Sequence, residues 1–415
     1  MNMKKLILIV AAFLIGTGIS YASPRYVGGD ISLLPEYEEA GAKYKDHSGK
    51  PISDLLPFLR EEGMNAMRVR LFVDPAKYKG SDKDANACQT LDYIVTLCKR
   101  IVDDGFDLML DFHYSDTWAD PAKQWTPEDW KDLTDEQLYQ KIYDYTKETL
   151  QTLKENGIVP TFIQPGNEIS YGMLWGPYGT KNPKKALMGS KANWERFGKL
   201  LNNAIKACRE ECPEAEIIIH TERVSNTGVQ TNFYNEMERL GIDYDIIGLS
   251  YYPYFHGSLS VLDKALKALE PFDKDIMILE TGYPYKWEVP GTTVNNTSTW
   301  PYSDAGQDKF VKDLEDELLK YPRVTGLFWW WMEYNAYGTS LSGWYNAPLF
   351  DSTTGKATAA LKTLCSFADD SAVDGIYADP AESEAEVWYN VNGTRVGDTG
   401  APGLYISRKN KKIVR

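Results

Sequence analysis

Eight short apolar runs with strand-like character recur along the chain, and stretches with helical spacing separate most of them. The runs are Tyr26–Ile31, Ala66–Phe72, Phe106–His113, Pro160–Asn167, Glu216–Thr221, Asp245–Tyr252, Asp275–Thr281 and Val324–Trp331. Among the intervening stretches, Asp135–Asn156 is an amphipathic pattern closed by Gly157, and Asn193–Glu211 is another, ended by Pro213. Strands that alternate with helices predict a parallel sheet, because parallel neighbours need a crossover between them. Eight such units predict a closed (β/α)8 TIM barrel, with a doubly wound open sheet as the alternative. No Gly-rich phosphate loop follows the first run, which weighs against a nucleotide-binding fold.

The two ends read differently. Residues 1–22 have the form of a secretory leader: Lys4 and Lys5, an apolar run from Leu6 to Ile15, then Ser20-Tyr21-Ala22 with small residues at the cleavage positions. The apolar run is short for a membrane span of about 20 residues, and no other segment is long and apolar enough. The expected product is an exported chain without a transmembrane span. It would be periplasmic, cell-surface or secreted. After the last barrel unit the composition turns acidic over Asp369–Glu386. Val387–Arg415 then reads as short strands with turns at Asn392-Gly393 and Pro402-Gly403. The expected division is a leader at 1–22, a barrel domain at 23–368 and a β-rich C-terminal appendage at 369–415. The segment Tyr283–Tyr302, rich in Pro, Gly, Thr and Asn, is a long loop after the seventh run, and loops of that length are usually functional or disordered.

Composition narrows the chemistry. The 415 residues carry 59 acidic and 45 basic side chains, a net charge of −14. A surface this acidic is a poor partner for nucleic acid or an acidic polysaccharide. The 27 Tyr and 12 Trp lean toward sugar rings, whose faces suit flat aromatics. Five cysteines leave at least one thiol without an intramolecular partner. Cys208 and Cys212, four apart on a helical stretch, are poorly placed for a bridge. Most of the five read as buried small hydrophobes. With four dispersed histidines, no zinc site is indicated.

Residue parity sorts the strands. In a barrel, alternate residues point inward and reactive groups sit at the C-terminal strand ends. In the second run Met67, Val69 and Leu71 belong outside, and Arg68 and Arg70 inside. In the third, Leu108, Leu110 and Phe112 belong outside, which sends Asp111 and His113 into the mouth. Gln164, Gly166 and Glu168 share a face in the fourth run, and His220 points in from the fifth. In the seventh, Ile278 and Glu280 share a face opposite Met277 and Leu279. Parity leaves Ser250, Tyr251 and Tyr252 ambiguous, and likewise Trp329, Trp330 and Trp331. A lone inward Arg–Asp pair or His is often structural. Several converging at one end is harder to explain by stability alone, since buried charge is costly unless paired.

Two carboxyl groups then stand out: Glu168 after Asn167 at the end of the fourth run, and Glu280 at the end of the seventh. Glycoside hydrolysis needs two carboxyls flanking the scissile bond, roughly 5–5.5 Å apart in retaining enzymes. One must hold a proton near neutral pH and the other must stay ionised. Arg70 and a tyrosine of the sixth run, Tyr251 or Tyr252, are the groups expected to orient the ionised one. Asn167 is expected to meet the sugar 2-hydroxyl.

The chain resembles glycoside hydrolase family 53, the endo-β-1,4-galactanases of a large clan of retaining (β/α)8 enzymes. The likeness runs from about Tyr26 to Phe367. It rests on Gly28-Gly29-Asp30-Ile31-Ser32, Arg68-Val69-Arg70 and Leu110-Asp111-Phe112-His113-Tyr114-Ser115-Asp116-Thr117-Trp118-Ala119-Asp120-Pro121. It continues in Gln164-Pro165-Gly166-Asn167-Glu168-Ile169, Gly172-Met173-Leu174-Trp175, Gly248-Leu249-Ser250-Tyr251-Tyr252-Pro253-Tyr254 and Glu280-Thr281-Gly282-Tyr283-Pro284. The resemblance implies Glu168 as acid/base and Glu280 as nucleophile. It implies a covalent glycosyl-enzyme, internal cleavage with retention, and the β-1,4-galactan of type I arabinogalactan in pectin as substrate. Arg70, Asp111, His113, Asp116, Trp118, Asn167, His220, Tyr251, Tyr252 and Trp330 are then the expected sugar-binding set. The alternative is a related retaining endo-glycanase on mannan or glucan.

Two stretches depart from the family pattern. Trp330-Trp331-Met332-Glu333 stands where the family tends to read Trp-Glu-Pro, and Thr221-Glu222-Arg223-Val224-Ser225-Asn226 also differs. Hydrolysis requires no organic cofactor. Some bacterial members hold a structural calcium ion in a late loop, but no ligand set is assignable here, Asp304 and Asp308 included. A monomer is expected. The tail, through Tyr389–Val396 and Gly403–Ile406, resembles C-terminal sorting segments of Bacteroidetes-type Gram-negative bacteria.

Overall fold

A computed structural model describes residues 24–339 and 345–368, together with the backbone of four short strands beyond residue 387. Eight strands, β1 (Tyr26–Asp30), β2 (Ala66–Leu71), β3 (Asp107–Phe112), β4 (Phe162–Pro165), β5 (Glu216–Thr221), β6 (Ile246–Tyr251), β7 (Asp275–Thr281) and β8 (Val324–Trp329), form a closed barrel in chain order. Every neighbouring pair is parallel, including β8 against β1. The closed (β/α)8 expectation therefore holds, and the open sheet does not.

The crossover helices form where local signals and an apolar stripe agree. Helix Asp135–Glu155 starts at a capping box, with Thr134 and Gln137 satisfying each other's free backbone N–H groups. It ends before Gly157, whose φ of 73° is the left-handed turn a glycine allows. Leu138, Ile142, Leu150 and Leu153 are buried, each contributing roughly 1.5–3 kcal/mol over exposure. Helix Lys191–Glu211 is capped by Ser190 and packs beside it. Its last turn carries Cys208, and Cys212 caps its C-terminal end; both are buried free thiols. No described helix is long and apolar enough to cross a membrane.

The barrel interior is filled rather than open. Ala66, Met109, Phe162, Ile218, Ile246, Met277, Leu279 and Phe328 make an apolar plug, with Tyr26 packed against it. Large and small residues interlock: Leu279 and Ile218 occupy the space where Gly248 lacks a side chain, and Met277 that of Gly326. The plug is the floor on which a polar layer sits, at the C-terminal strand ends.

Met277 and Leu279 correct the parity reading of β7. They point into the barrel, while Ile276 and Ile278 pack outward. A register slip against β6 pairs Leu249 with Ile278 but Ser250 with Glu280. Such a bulge breaks the two-residue alternation, so Leu279 and Glu280 both reach the interior.

The chain divides into two compact units at Ala368/Asp369. The second contains an antiparallel four-stranded sheet: β9 (Trp388–Asn390), β10 (Arg395–Val396), β11 (Gly403–Ile406) and β12 (Lys411–Val414), in the order β10-β9-β11-β12. The expected leader and the acidic stretch Asp369–Glu386 lie outside the described residues.

Candidate active site

A single guanidinium organises the polar layer. Arg68, on the inward face of β2, is fully buried and makes five hydrogen bonds. Nη1 donates to Glu280 Oε1 at 3.0 Å and Asp30 Oδ2 at 3.4 Å. Nη2 donates to Asp111 Oδ2 and Asn167 Oδ1, both at 2.8 Å, and Nε to Gln164 Oε1 at 3.2 Å. Five is the full donor capacity of arginine. Burial works to raise Asp111, but Arg68 and His113 outweigh it and hold that carboxyl below its ordinary range.

Glu280 is 6% exposed. Besides Arg68 it accepts a hydrogen bond from the Tyr252 hydroxyl at 2.9 Å on Oε2. Burial pushes it up to about 7, against the pull of Arg68 and Tyr252, which both favour the charged form. Parity placed both Arg68 and Arg70 inside, and the sequence reading named Arg70 for this role. The structure gives it to Arg68: Arg70 instead pairs with Asp30 Oδ1 at 2.5 Å.

Glu168 is reached through a broken strand end. β4 stops at Pro165, Gly166 takes a φ of 115°, and Glu168 itself is left-handed at φ 46°. A side chain at Gly166 would meet Ile169 at 2.6 Å, so glycine is needed on both counts. A non-glycine residue held left-handed stores strain that persists where surrounding contacts impose it. The turn lets Asn167 and Glu168 both reach the mouth, where strict alternation would have separated them. Glu168 Oε1 lies 2.6 Å from Ser250 Oγ. Burial, then the nearby Glu280 and Glu222 carboxylates, raise its pKa well above the ordinary value. Glu168 thus has one neutral hydroxyl partner and three acidic neighbours, Glu280, Glu222 and Asp120, while Glu280, with Asp111 and Asp30 also near, is bonded directly by a cation. The pair is therefore arranged to keep the proton on Glu168 and the charge on Glu280.

The remaining expected residues fall into three groups. Asn167, His220, Tyr252 and Asp111 belong to the polar layer around the two carboxyls. Trp118 and Trp330 are partly exposed and stand edge to face, ring centres 5.9 Å apart. The Arg70 guanidinium lies over both rings, 4.7 Å from Trp118 and 5.3 Å from Trp330. Trp118 is anchored by its Nε1 on Asp84 Oδ2 at 2.9 Å.

The third group is structural. His113 bridges Asp111, 3.0 Å from its Nε2, and the Ala119 amide, which donates to Nδ1 at 3.0 Å. Asp116 is buried, and its two oxygens accept from the Asp74 and Glu128 amides, which ties the loops after β2 and β3 together. Tyr251 points outward into the helix layer, with its hydroxyl on the Gly257 carbonyl at 2.8 Å. Tyr251 is therefore placed away from the mouth that the sequence reading assigned it to, while Asp116 lies in the loop after β3 with both oxygens engaged by backbone amides.

Sequence reasoning missed Ser250, Gln164 and Glu222 as members of the site. Ser250 was hidden by ambiguous parity, and Gln164 was noted only as inward. Glu222 lies in the departing stretch and accepts from Ser170 Oγ at 2.6 Å. Asp304 and Asp308 bind the Ala359 amide and the Thr363 hydroxyl, tying two helices. Among the described residues no group of three or more His, Cys, Asp or Glu is arranged to hold a metal ion.

Comparisons with known proteins show the family of the chain. The chain is 33% identical over 375 residues to an arabinogalactan endo-β-1,4-galactanase of Cellvibrio japonicus, covering 85% of this chain and 94% of the relative. It is 34% identical over 352 residues to a probable arabinogalactan endo-β-1,4-galactanase A of Neosartorya fischeri, covering 81% and 92%. Among solved structures it superposes on a GH53 catalytic domain from Ignisphaera aggregans with a TM-score of 0.71 at 30% identity, covering 83% of this chain and 97% of that one. A fungal β-1,4-galactanase structure gives 0.69 at 29% identity, covering 82% and 99%. The model of glycosyl hydrolase family 53 matches residues 26–364, the whole barrel with all of the residues just described. The chain is a glycoside hydrolase and belongs to family 53.

Proposed function

We propose that the chain is an exported, retaining endo-β-1,4-galactanase that cuts the type I (arabino)galactan side chains of pectin. The observation that carries the reading is the unequal setting of the two carboxyls. Glu280 is bound by Arg68 and Tyr252, and Glu168 is crowded by acids. The names of the family relatives supply the substrate class.

In this reading Glu280 attacks the anomeric carbon while Glu168 passes its proton to the departing glycosidic oxygen. The C–O bond of the polymer breaks, and a galactosyl–Glu280 ester forms. Glu168, now a carboxylate, takes a proton from water as that water displaces Glu280, which restores both groups. Asn167 Nδ2 donates to the Ala119 carbonyl and keeps a second N–H for the sugar 2-hydroxyl. Trp118 and Trp330 offer ring surface to neighbouring sugars.

The test is product analysis on linear β-1,4-galactan, with β-mannan and carboxymethylcellulose alongside. A ladder of galacto-oligosaccharides from galactan alone, first appearing as the β-anomer by proton NMR, is the expected result. Cleavage of mannan or cellulose instead would move the specificity elsewhere in the clan.

The acidic neighbours of Glu168 make a pH prediction. Glu222→Gln removes a negative charge that disfavours the Glu168 carboxylate, so the acid should lose its proton at lower pH. The basic limb of the kcat/KM profile on galactan is expected to move to lower pH. An unmoved limb would show that Glu222 has no electrostatic hold on the acid.

A further inference from the structure

His220, fully buried at the end of β5, touches both halves of the site. Its Nδ1 lies 3.0 Å from Asn167 Oδ1 and 3.1 Å from Gln164 Nε2. Its Nε2 lies 2.9 Å from Ser250 Oγ, which in turn lies 2.6 Å from Glu168 Oε1. Hydrogen positions along this chain of contacts follow from the partners that fix its ends.

The Asn167 amide has a determined orientation, because Nδ2 donates to the Ala119 carbonyl and Oδ1 accepts from Arg68. Gln164 is fixed likewise: Oε1 accepts from Arg68, and Nε2 donates to Asp111 Oδ1 at 2.7 Å and to the Gly166 carbonyl at 3.2 Å. Asn167 therefore presents an acceptor to His220 Nδ1. Two lone pairs at 3.0 Å repel, so the hydrogen between them belongs to the imidazole. A neutral ring protonated at Nδ1 leaves Nε2 as an acceptor, and the Ser250 hydroxyl is the donor beside it. Serine has one hydroxyl hydrogen. Once it is given to His220, Ser250 Oγ meets Glu168 as an acceptor, and the short contact needs a hydrogen from the carboxyl.

We infer that His220, as the Nδ1-protonated neutral tautomer, acts through Ser250 to hold Glu168 in its protonated form, ready to protonate the leaving group. His220 is thus a positioning residue for a proton. When Glu168 gives its proton away, the Ser250 hydroxyl rotates to donate to the new carboxylate, and His220 Nε2 loses its donor. That loss favours return of the proton when water attacks, so the device resets with each turnover. The charged and titratable groups facing this chain are Glu280, Glu222 and Asp120 around Glu168, and Arg68, Asp111 and His113 around His220. Burial first, and then Arg68, oppose an imidazolium here.

The inference rests on Glu168 being the acid, and the experiment separates the two. Nitrogen-15 NMR of the histidine-labelled full chain reads the tautomer directly. The chain has four histidines, and the His220 signals are those lost in His220→Asn. The expected pattern is a protonated Nδ1 and a bare Nε2 near neutral pH; the opposite tautomer or an imidazolium would overturn the proposal. Asparagine keeps a donor toward Asn167 and removes the acceptor behind Ser250, which frees Ser250 to donate to the Glu168 carboxylate. The basic limb of kcat/KM on galactan should then move to lower pH by about half to one unit. In a Ser250→Ala background the same substitution should move it no further. A shift to higher pH, or an equal shift without Ser250, would overturn the relay. Galactan turnover that survives Glu168→Ala would instead overturn the acid assignment beneath it.

Discussion

Glu280→Ala is expected to lower kcat on galactan by about ten-thousand-fold or more, the scale seen when a covalent nucleophile is removed. Two losses combine. No ester can form, and the Arg68 Nη1 and Tyr252 hydroxyl donors that faced Glu280 lose their partner. The fold should survive, because the barrel floor beneath is apolar and separate, so a near-native melting curve is the control. The informative addition is azide with an aryl β-galactobioside. A small anion entering the vacated space attacks the anomeric carbon from the side Glu280 occupied, expels the phenolate and leaves an α-galactosyl azide. That product identifies Glu280 as the nucleophile. Substantial galactan cleavage by the variant, or a β-configured azide, would remove it from that role.

The second large effect separates the two carboxyls. Glu168→Ala should reduce galactan turnover by roughly a thousand-fold, within the range for loss of general acid–base catalysis. An aryl galactobioside with a dinitrophenolate leaving group needs no proton to depart, so its first step should be nearly unaffected. Water is then poorly activated for the second step, and the glycosyl-enzyme should accumulate as a burst of dinitrophenolate. Azide bypasses the missing base from the opposite side and should give the β-galactosyl azide. If polymer and activated substrate suffer alike, Glu168 is not the proton donor. The two variants thus give azides of opposite configuration.

The strands were legible because each is a short apolar run between helical stretches, and all eight lie where the pattern puts them within a residue or two. The carboxyls were legible because they end such runs. What parity misread lies where the backbone stops being regular. Glu280 faces inward through a bulge after Ile278, and Asn167 and Glu168 share the mouth through Gly166 and a left-handed turn. Neither feature has a two-residue period to detect. Arg68 and Arg70 are equivalent by parity. Where each guanidinium ends separates them: Arg70 is the residue opposite Asp111 in the β2–β3 register, yet it is the Arg68 guanidinium that bonds Asp111 and Glu280, while that of Arg70 lies against the two tryptophans. Tyr251 and Tyr252 are adjacent and chemically alike, and only the end of β6 determines which one turns in. Asp116 belongs to the same run after β3 as Trp118 but has both oxygens engaged by backbone amides.

The saturation of Arg68 also bears on how such a site can drift. One guanidinium links Asp30, Asp111, Gln164, Asn167 and Glu280, contributed by β1, β3, β7 and the β4 segment with its turn. Effects at residues that share one partner do not add. A change at any of these positions leaves a buried donor seeking an acceptor, and whether that is tolerated depends on what the others already are. Substitutions in this layer should therefore be inherited in combinations, whereas the rim, where Trp118 and Trp330 stand partly exposed, can vary one residue at a time. Specificity along the polymer can evolve there while the chemistry beneath stays locked as a unit.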